Sequence, residues 1–300
     1  MKLNLAVAPC SWGIEDPDNI NNPPWERVLD EAGKSGFTAV ELGPYGYLPT
    51  EAALLKKNLD FRGLELIAGT IYDNLTATAD LQALTQKTKG ICSLMSRVCD
   101  GEQNGYLVII DSVKDVRNTT AGHSESAVRL PADEWKQMMD NIKVISKVAG
   151  EYGVRPVIHP HAGGYIEFMD ETDRFLNDIS EDIAGLCLDT GHLYYAGDNP
   201  AEVLTKLSSR LEYVHFKDIN SSVYERALSE NMGFFDACNL GVMCSIGAGC
   251  VDYNSIFSAL DGMKYDGWVT IEQERDPKNS AGTLEDLRNS HGYLIDSLKG

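Results

Sequence analysis

Four short apolar runs in the second half of the chain each end on residues that bind metals. They are Val157-Ile158-His159-Pro160-His161, Leu186-Cys187-Leu188-Asp189-Thr190-Gly191-His192, Tyr213-Val214-His215-Phe216-Lys217-Asp218 and Val269-Thr270-Ile271-Glu272-Gln273-Glu274. His159, Asp189, His215 and Glu272 stand at the points where the hydrophobic residues give out. Taken singly, a strand-end histidine is an ordinary hydrogen-bonded residue, and Asp189 before Thr190-Gly191 suits a turn or helix cap. Glu272 is harder to dismiss, because a carboxylate in so apolar a run is costly unless paired or coordinated. The repetition points to one divalent-metal site assembled at the carboxyl ends of neighbouring strands. Mixed nitrogen and oxygen donors suit Mn²⁺, Co²⁺, Zn²⁺ or Fe²⁺, and spacing does not select among them.

Further polar groups gather around these four. His161, two residues past His159, points to the same face, as Lys217 does with His215 and Glu274 with Glu272. His192 lies three residues beyond Asp189. Glu167 follows Ala162-Gly163-Gly164 and is expected to swing in as a ligand or base. A lysine at position 217 can steady a developing oxyanion or shuttle a proton; the alternative is a solvated charge at the rim. Trp12 and Tyr45, on the first two loops, are candidates for an aromatic wall against a sugar-like ring, with a core role as the alternative.

The elements that must hold these residues alternate between strand and helix. The pattern predicts strands over Leu3 to Cys10, Ala39 to Leu42, Leu64 to Thr70 and Tyr106 to Asp111, with the four runs above as the fifth to eighth. Helices are expected near Pro24 to Lys34, over Thr50 to Asn58 behind an N-capping threonine, over Asp80 to Cys99, and over Pro131 to Tyr152. Others follow around Glu171 to Ile179, Ala201 to Leu211, Tyr253 to Met263 and Thr283 to Leu298. Eight such units without a hairpin signal predict a single (β/α)8 TIM barrel domain over residues 1–300. The extended seventh loop, Asn220 to Gly249, suits a lid or substrate wall. After the first strand the chain reads Ala8-Pro9-Cys10-Ser11-Trp12-Gly13, with no G-x-G-x-x-G, which argues against a dinucleotide-binding turn.

Bulk properties narrow the partners. A net charge of −19 over 300 residues argues against nucleic acid and against an anionic membrane surface. Seven cysteines, an odd number with no CxxC pair, suggest reduced thiols. The N-terminal apolar stretch is too short for a signal sequence, and no run approaches a membrane span. A cytoplasmic protein is expected, and a homo-oligomer is compatible with all of this.

The segments HPHAGGYIE, GLCLDTGHLYYAGDNP, YVHFKD, GAGCVDY and YDGWVTIEQE resemble the xylose-isomerase-like barrels of the sugar phosphate isomerase/epimerase superfamily. Within it they are most similar to the inosose dehydratase branch, as are Asn22 to Trp25 and Glu41 to Pro49. The likeness spans most of the chain, apart from the stretch around Asp100 to Arg129 and part of the seventh loop. It implies a metal-dependent barrel acting on a small polyhydroxylated keto-sugar or keto-cyclitol. Asp189, His215 and Glu272 match the ligand positions on strands six to eight. The fifth-strand position is usually glutamate in the wider superfamily, so the first ligand here is His159, His161 or Glu167, with His159 favoured. His192 and Lys217 match positions that commonly face substrate.

The expected chemistry is abstraction of a proton α to a carbonyl by a base among Glu272, Glu167, His161 and His192. The cation (Mn²⁺ or Co²⁺ foremost, with Zn²⁺, Fe²⁺ or Mg²⁺ as alternatives) and Lys217 would stabilise the enediolate. Dehydration, epimerisation or isomerisation, and β-elimination from a 3-keto-glycoside share this first half. A metal-dependent phosphodiester endonuclease and a non-catalytic sugar-binding protein are the more distant alternatives.

Overall fold

The computed structural model describes residues 3–77, 81–99 and 104–298. Eight parallel strands close on themselves: β1 (Asn4–Val7), β2 (Ala39–Glu41), β3 (Glu65–Asp73), β4 (Tyr106–Asp111), β5 (Arg155–Ile158), β6 (Gly185–Asp189), β7 (Leu211–Phe216) and β8 (Trp268–Ile271). Neighbours in sequence are neighbours in the ring, and β1 completes it against β8, Asn4 opposite Trp268 and Val7 opposite Ile271.

Period-2 alternation decides what each strand contributes. Ala6, Ala39, Ala68, Val108, Val157, Cys187 and Tyr213 fill the axis of the barrel. The intervening Leu5, Val7, Val40, Ile109, Ile158, Leu188 and Val214 pack outward into the helical layer. Small residues on β1 to β3 leave room for the Tyr106 and Tyr213 rings, which stack with centroids 4.8 Å apart. The same inward parity, continued to the carboxyl ends, carries Val157 to His159, Cys187 to Asp189, Tyr213 to His215 and Ala39 to Glu41.

The helices α1 (Trp25–Lys34), α2 (Ala52–Arg62), α3 (Leu81–Val98), α4 (Asp115–Asn118), α5 (Ala132–Glu151) and α6 (Met169–Asp178) follow the first five strands. The apolar stripe of α5, including Trp135, Met138, Met139, Ile142 and Ile145, is buried. Asp80, expected to open the third helix, lies outside the described residues. The cap of α2 is Glu51 and not Thr50: its carboxylate accepts from Ala53 N at 3.0 Å and Leu54 N at 2.7 Å.

Several boundaries move, β3 running on to Asp73 and α2 to Arg62 among them. The first strand stops at Val7, because Pro9 opens a 3-10 turn over Pro9–Trp12. Gly13 closes that turn at φ 80°, where a Cβ would lie 2.5 Å from the Arg275 carbonyl oxygen. The sixth strand ends at Asp189, and Thr190 starts the short helix α7 (Thr190–Tyr195), followed by α8 (Pro200–Lys206), so Leu211 begins β7.

The extended seventh connection is not structureless. It forms helices α9 (Ser221–Ser229) and α10 (Phe234–Asn239) and an antiparallel ribbon pairing Asp218–Ile219 with Met243–Cys244. Asp218 anchors it, accepting backbone N–H groups from Ile219, Gly247, Gly249 and Val251 at 2.8 to 3.1 Å. Helices α11 (Tyr253–Gly262) and α12 (Thr283–Ser297) flank β8. Among the described residues no helix is long and apolar enough to cross a membrane.

Candidate metal centre

The inward positions just beyond β5, at the end of β6, within β7 and just beyond β8 deliver His159, Asp189, His215 and Glu272 to one point. One donor atom from each lies within 4.8 Å of all the others. His159 Nε2 is 3.7 Å from Asp189 Oδ2, and His215 Nδ1 is 3.2 Å from Glu272 Oε2. His159 and His215 are at most 2% exposed, yet both ring nitrogens of His159 and the Nδ1 of His215 have no hydrogen-bond partner. Buried imidazole nitrogens left unpaired beside carboxylates are costly unless a cation lies between them. Two imidazoles and two carboxylates are a donor set suited to a divalent transition metal.

Asp189 fulfils both roles open to it. Its Oδ1 caps α7 by accepting from His192 N at 2.8 Å, and its Oδ2 faces the donor cluster. Burial pushes this carboxyl up, but Lys217 and the His192 and His159 imidazoles outweigh it and hold Asp189 well below the usual carboxylate range. Burial likewise raises Glu272, and His215 and Lys217 hold it well below its ordinary value.

A residue with no obvious sequence signal completes the setting. Glu41, buried at the end of β2, accepts from Tyr213 Oη at 2.6 Å and pairs with His215 Nε2 at 2.9 Å. Because the carboxylate accepts, Nε2 carries a proton and Nδ1 is the atom left to face the cluster. Burial lowers the ring, but Cys187, Glu272 and Glu41 hold it well above the usual histidine value, so an ion bound at Nδ1 would displace a proton. Glu41→Leu is expected to weaken divalent-metal affinity by about 10- to 100-fold. Competition with a chromophoric chelator measures this, and unchanged affinity removes Glu41 from the centre.

Lys217 is not a solvated rim charge. It is 1% exposed, and its Nζ lies 2.9 Å from Asp189 Oδ2 and 3.1 Å from Glu274 Oε1, and also contacts Glu272 Oε2. Burial alone would lower the ammonium, but Asp189, Glu272 and Glu274 hold it well above the usual lysine value, so it is charged.

A second trio, His161, His192 and Glu274, converges beside the first. The backbone of Ala162 fixes its tautomers. Ala162 N donates to His192 Nδ1 at 3.1 Å, so the neutral His192 ring carries its proton on Nε2, which faces Glu274 Oε1 at 3.5 Å. His161 Nδ1 lies 2.9 Å from the Ala162 carbonyl oxygen, so that ring is protonated on Nδ1 and its Nε2 is a bare acceptor. Burial, with His192 and His159 nearby, holds His161 well below the usual histidine value; burial and Lys217 do the same to His192. Two neutral rings with centroids 3.9 Å apart therefore present opposite polarity, one accepting and one donating. With a proton on Nε2, His192 cannot ligate through that atom, and the trio does not form a second cation site.

Two expected site residues are elsewhere. Glu167 does not swing toward the cluster: it accepts from Gly122 N at 2.7 Å, Gly163 N at 2.9 Å and the buried Arg117 Nη2 at 3.1 Å. Burial pushes its carboxyl up to about 7 against the pull of those donors. Trp12 forms no wall. The 3-10 turn directs it into the core beside Val28, Leu29, Val40 and Leu48, where Nε1 donates to Glu31 Oε2 at 2.7 Å.

Tyr45 does line a cleft of about 260 Å³ above the cluster. Its other walls include Ile14, Tyr72 and Phe235 of α10, and its floor holds His159, His161, Lys217, Glu272 and Glu274. Glu272 and Glu274 follow β8, as the parity of that strand requires.

A closed parallel barrel with a ring of nitrogen and oxygen donors at its carboxyl mouth defines a TIM barrel with a candidate metal site. The chain belongs to the Xylose isomerase-like TIM barrel family, whose pattern it matches over residues 29–293. It is 29% identical to an inosose dehydratase of Clostridium beijerinckii over 281 residues, 92% of this chain and 91% of that protein. Its fold is similar to that of the IOLI protein with a binding zinc atom, with a TM-score of 0.73 at 17% identity, covering 99% of this chain and 98% of the other. A D-allulose 3-epimerase from Methylomonas sp. is similar with a TM-score of 0.68 at 16% identity, covering 98% and 96%.

Proposed function

We propose that this protein is a metal-dependent lyase or isomerase of a keto-cyclitol or keto-sugar, with inosose dehydratase-like loss of water as the reaction its site fits best. The observation that carries this reading is the convergence of four metal-type donors beside two buried imidazoles of opposite polarity. The likeness to an inosose dehydratase over nearly the whole chain supports the substrate class.

His159, Asp189, His215 and Glu272 hold the ion in this reading. A divalent cation there supplies Lewis-acid polarisation of a carbonyl oxygen and its neighbouring hydroxyl. Of the two ions expected foremost, Co²⁺ suits a site with two imidazoles better than Mn²⁺.

The rest falls to the chain's own groups. Glu167 is committed to Arg117, and His192 Nε2 bears a proton, which leaves His161 Nε2 and Glu272 as acceptors for the α-proton. Glu272 is one of the four donors that would hold the ion, so His161 Nε2, outside that set, is the base we favour. Lys217 Nζ would face the enediolate oxygen, and His192 Nε2–H would donate a hydrogen bond to the β-hydroxyl. The proton taken up by His161 would leave with that hydroxyl as water, returning His161 to its neutral form. Tyr45, Tyr72 and Phe235 cover the apolar face of the ring and limit water.

The cleft's own side chains offer no basic cradle for a phosphorylated substrate, whose charge would have to be met by the ion alone. Glu15, Glu41, Glu272 and Glu274 line the cleft against only Lys87 and Lys217. The same acidity speaks against a phosphodiester. An odd number of cysteines without a CxxC pair fits a cytoplasmic setting.

The test is a small panel: scyllo-inosose, ketohexoses and 3-keto-glycosides, each with Co²⁺- or Mn²⁺-loaded protein in deuterium oxide. Loss of water from the inosose is expected. Deuterium incorporation without mass loss would mark an epimerase or isomerase, and aglycone release a β-eliminating enzyme. No conversion and no exchange with any of them rejects the proposal.

A further inference from the structure

The carboxylate oxygens of the donor cluster already share a cation. Lys217 Nζ contacts Asp189 Oδ2 and Glu272 Oε2, the very atoms that stand nearest His159 Nε2 and His215 Nδ1. Its third partner, Glu274 Oε1 at 3.1 Å, is not among the four donors. The lysine backbone is clamped: its N–H donates to Thr190 Oγ1 at 3.0 Å, and its carbonyl accepts from Tyr253 Oη at 2.9 Å. The stem packs where Gly191 leaves space, since a Cβ there would lie 2.4 Å from Lys217 Cβ. Only the side chain is left to move.

We propose that the Lys217 ammonium is a built-in occupant of the cation site, which an incoming divalent ion displaces onto Glu274. The inference rests on the metal-centre reading given under Proposed function. In the metal-free protein the ammonium keeps the clustered carboxylates of Asp189, Glu272 and Glu274 from facing one another uncompensated. When an ion is bound, its two charges and the one on Lys217 balance those three carboxylates, so the lysine stays nearby instead of leaving for solvent. Glu274 is then the landing site that decides how readily the exchange occurs.

The experiment is a double-mutant cycle on metal affinity, measured by chelator competition with Co²⁺ and Zn²⁺, alongside thermal unfolding in EDTA. Lys217→Met is expected to bind both ions at least about tenfold more tightly than wild type, because a like charge is gone, and to unfold at lower temperature without metal. Glu274→Gln is expected to weaken binding in the wild-type background, with a severalfold smaller penalty in the Lys217→Met background. Should Lys217→Met not fold without metal, Lys217→Gln replaces it in the same cycle.

Wild type that binds metal, with a Lys217 variant that binds no tighter, overturns this inference and leaves the metal centre standing. Failure of both proteins to bind either ion overturns the two together. Binding by the variant alone supports displacement in its strongest form.

Discussion

Asp189→Asn is expected to strip the protein of its metal and of turnover while leaving the fold intact. The substitution keeps an oxygen able to accept from His192 N, so the cap of α7 survives. What disappears is the charge on the oxygen that faces His159, His215 and Lys217. Metal per chain should fall from about one to traces, and kcat/KM by roughly 10³-fold or more. His215→Ala should do the same by removing a donor outright. Elemental analysis, steady-state kinetics and far-ultraviolet circular dichroism on the same preparations separate these losses from misfolding. Full activity after exhaustive chelation of the wild type would end the metal-centre reading.

Arg117→Met is expected to be the most destabilising single change outside the cluster. Arg117 is wholly buried, and its guanidinium donates to Glu171 Oε1 at 2.7 Å, Glu171 Oε2 at 3.2 Å, Glu167 Oε2 at 3.1 Å and the Val128 carbonyl at 3.0 Å. The Tyr165 and Phe168 rings pack against it with centroids 5.6 and 5.1 Å away. Methionine fills much of the volume but strips Glu167 of its guanidinium partner and leaves Glu171 only the part-exposed Arg129 at 3.6 Å, at a cost of about 3–5 kcal/mol. Urea unfolding measures it, and a loss under about 1 kcal/mol contradicts the pairing. The companion Glu167→Gln should retain its full complement of metal, which separates this network from the ligands.

Much of this was legible in the sequence, for a local reason. Period 2 along a strand fixes which residues share a face, so His159 with His161, His215 with Lys217 and Glu272 with Glu274 follow from spacing alone. The parallel barrel follows from the repeated alternation of strand and helix. Partnerships across long separations were not legible. Glu41 reads as the end of a short apolar strand, and its partner His215 is 174 positions away. Glu167 looks mobile behind its glycines because Arg117, 50 positions earlier, gives no sign of needing it. For Trp12 the sequence leaves wall and core open, and the structure takes the core reading because Pro9 ends the first strand early and the 3-10 turn over Pro9–Trp12 carries the ring inward.

The seam of the barrel lies between its first and last strands, Val7 opposite Ile271. Three of the ion's partners come from or just beyond consecutive staves, β5 to β7, and can be aligned before the cylinder exists. The fourth, Glu272, arrives one residue past that seam, its N–H tied to the Phe216 carbonyl at 3.0 Å. All four candidate donors therefore come from or just beyond four consecutive strands, β5 to β8, and β8 delivers Glu272 through its pairing with β7. An ion held by them would act as a latch on the C-terminal half of the barrel, clamping β5 to β8 to one another.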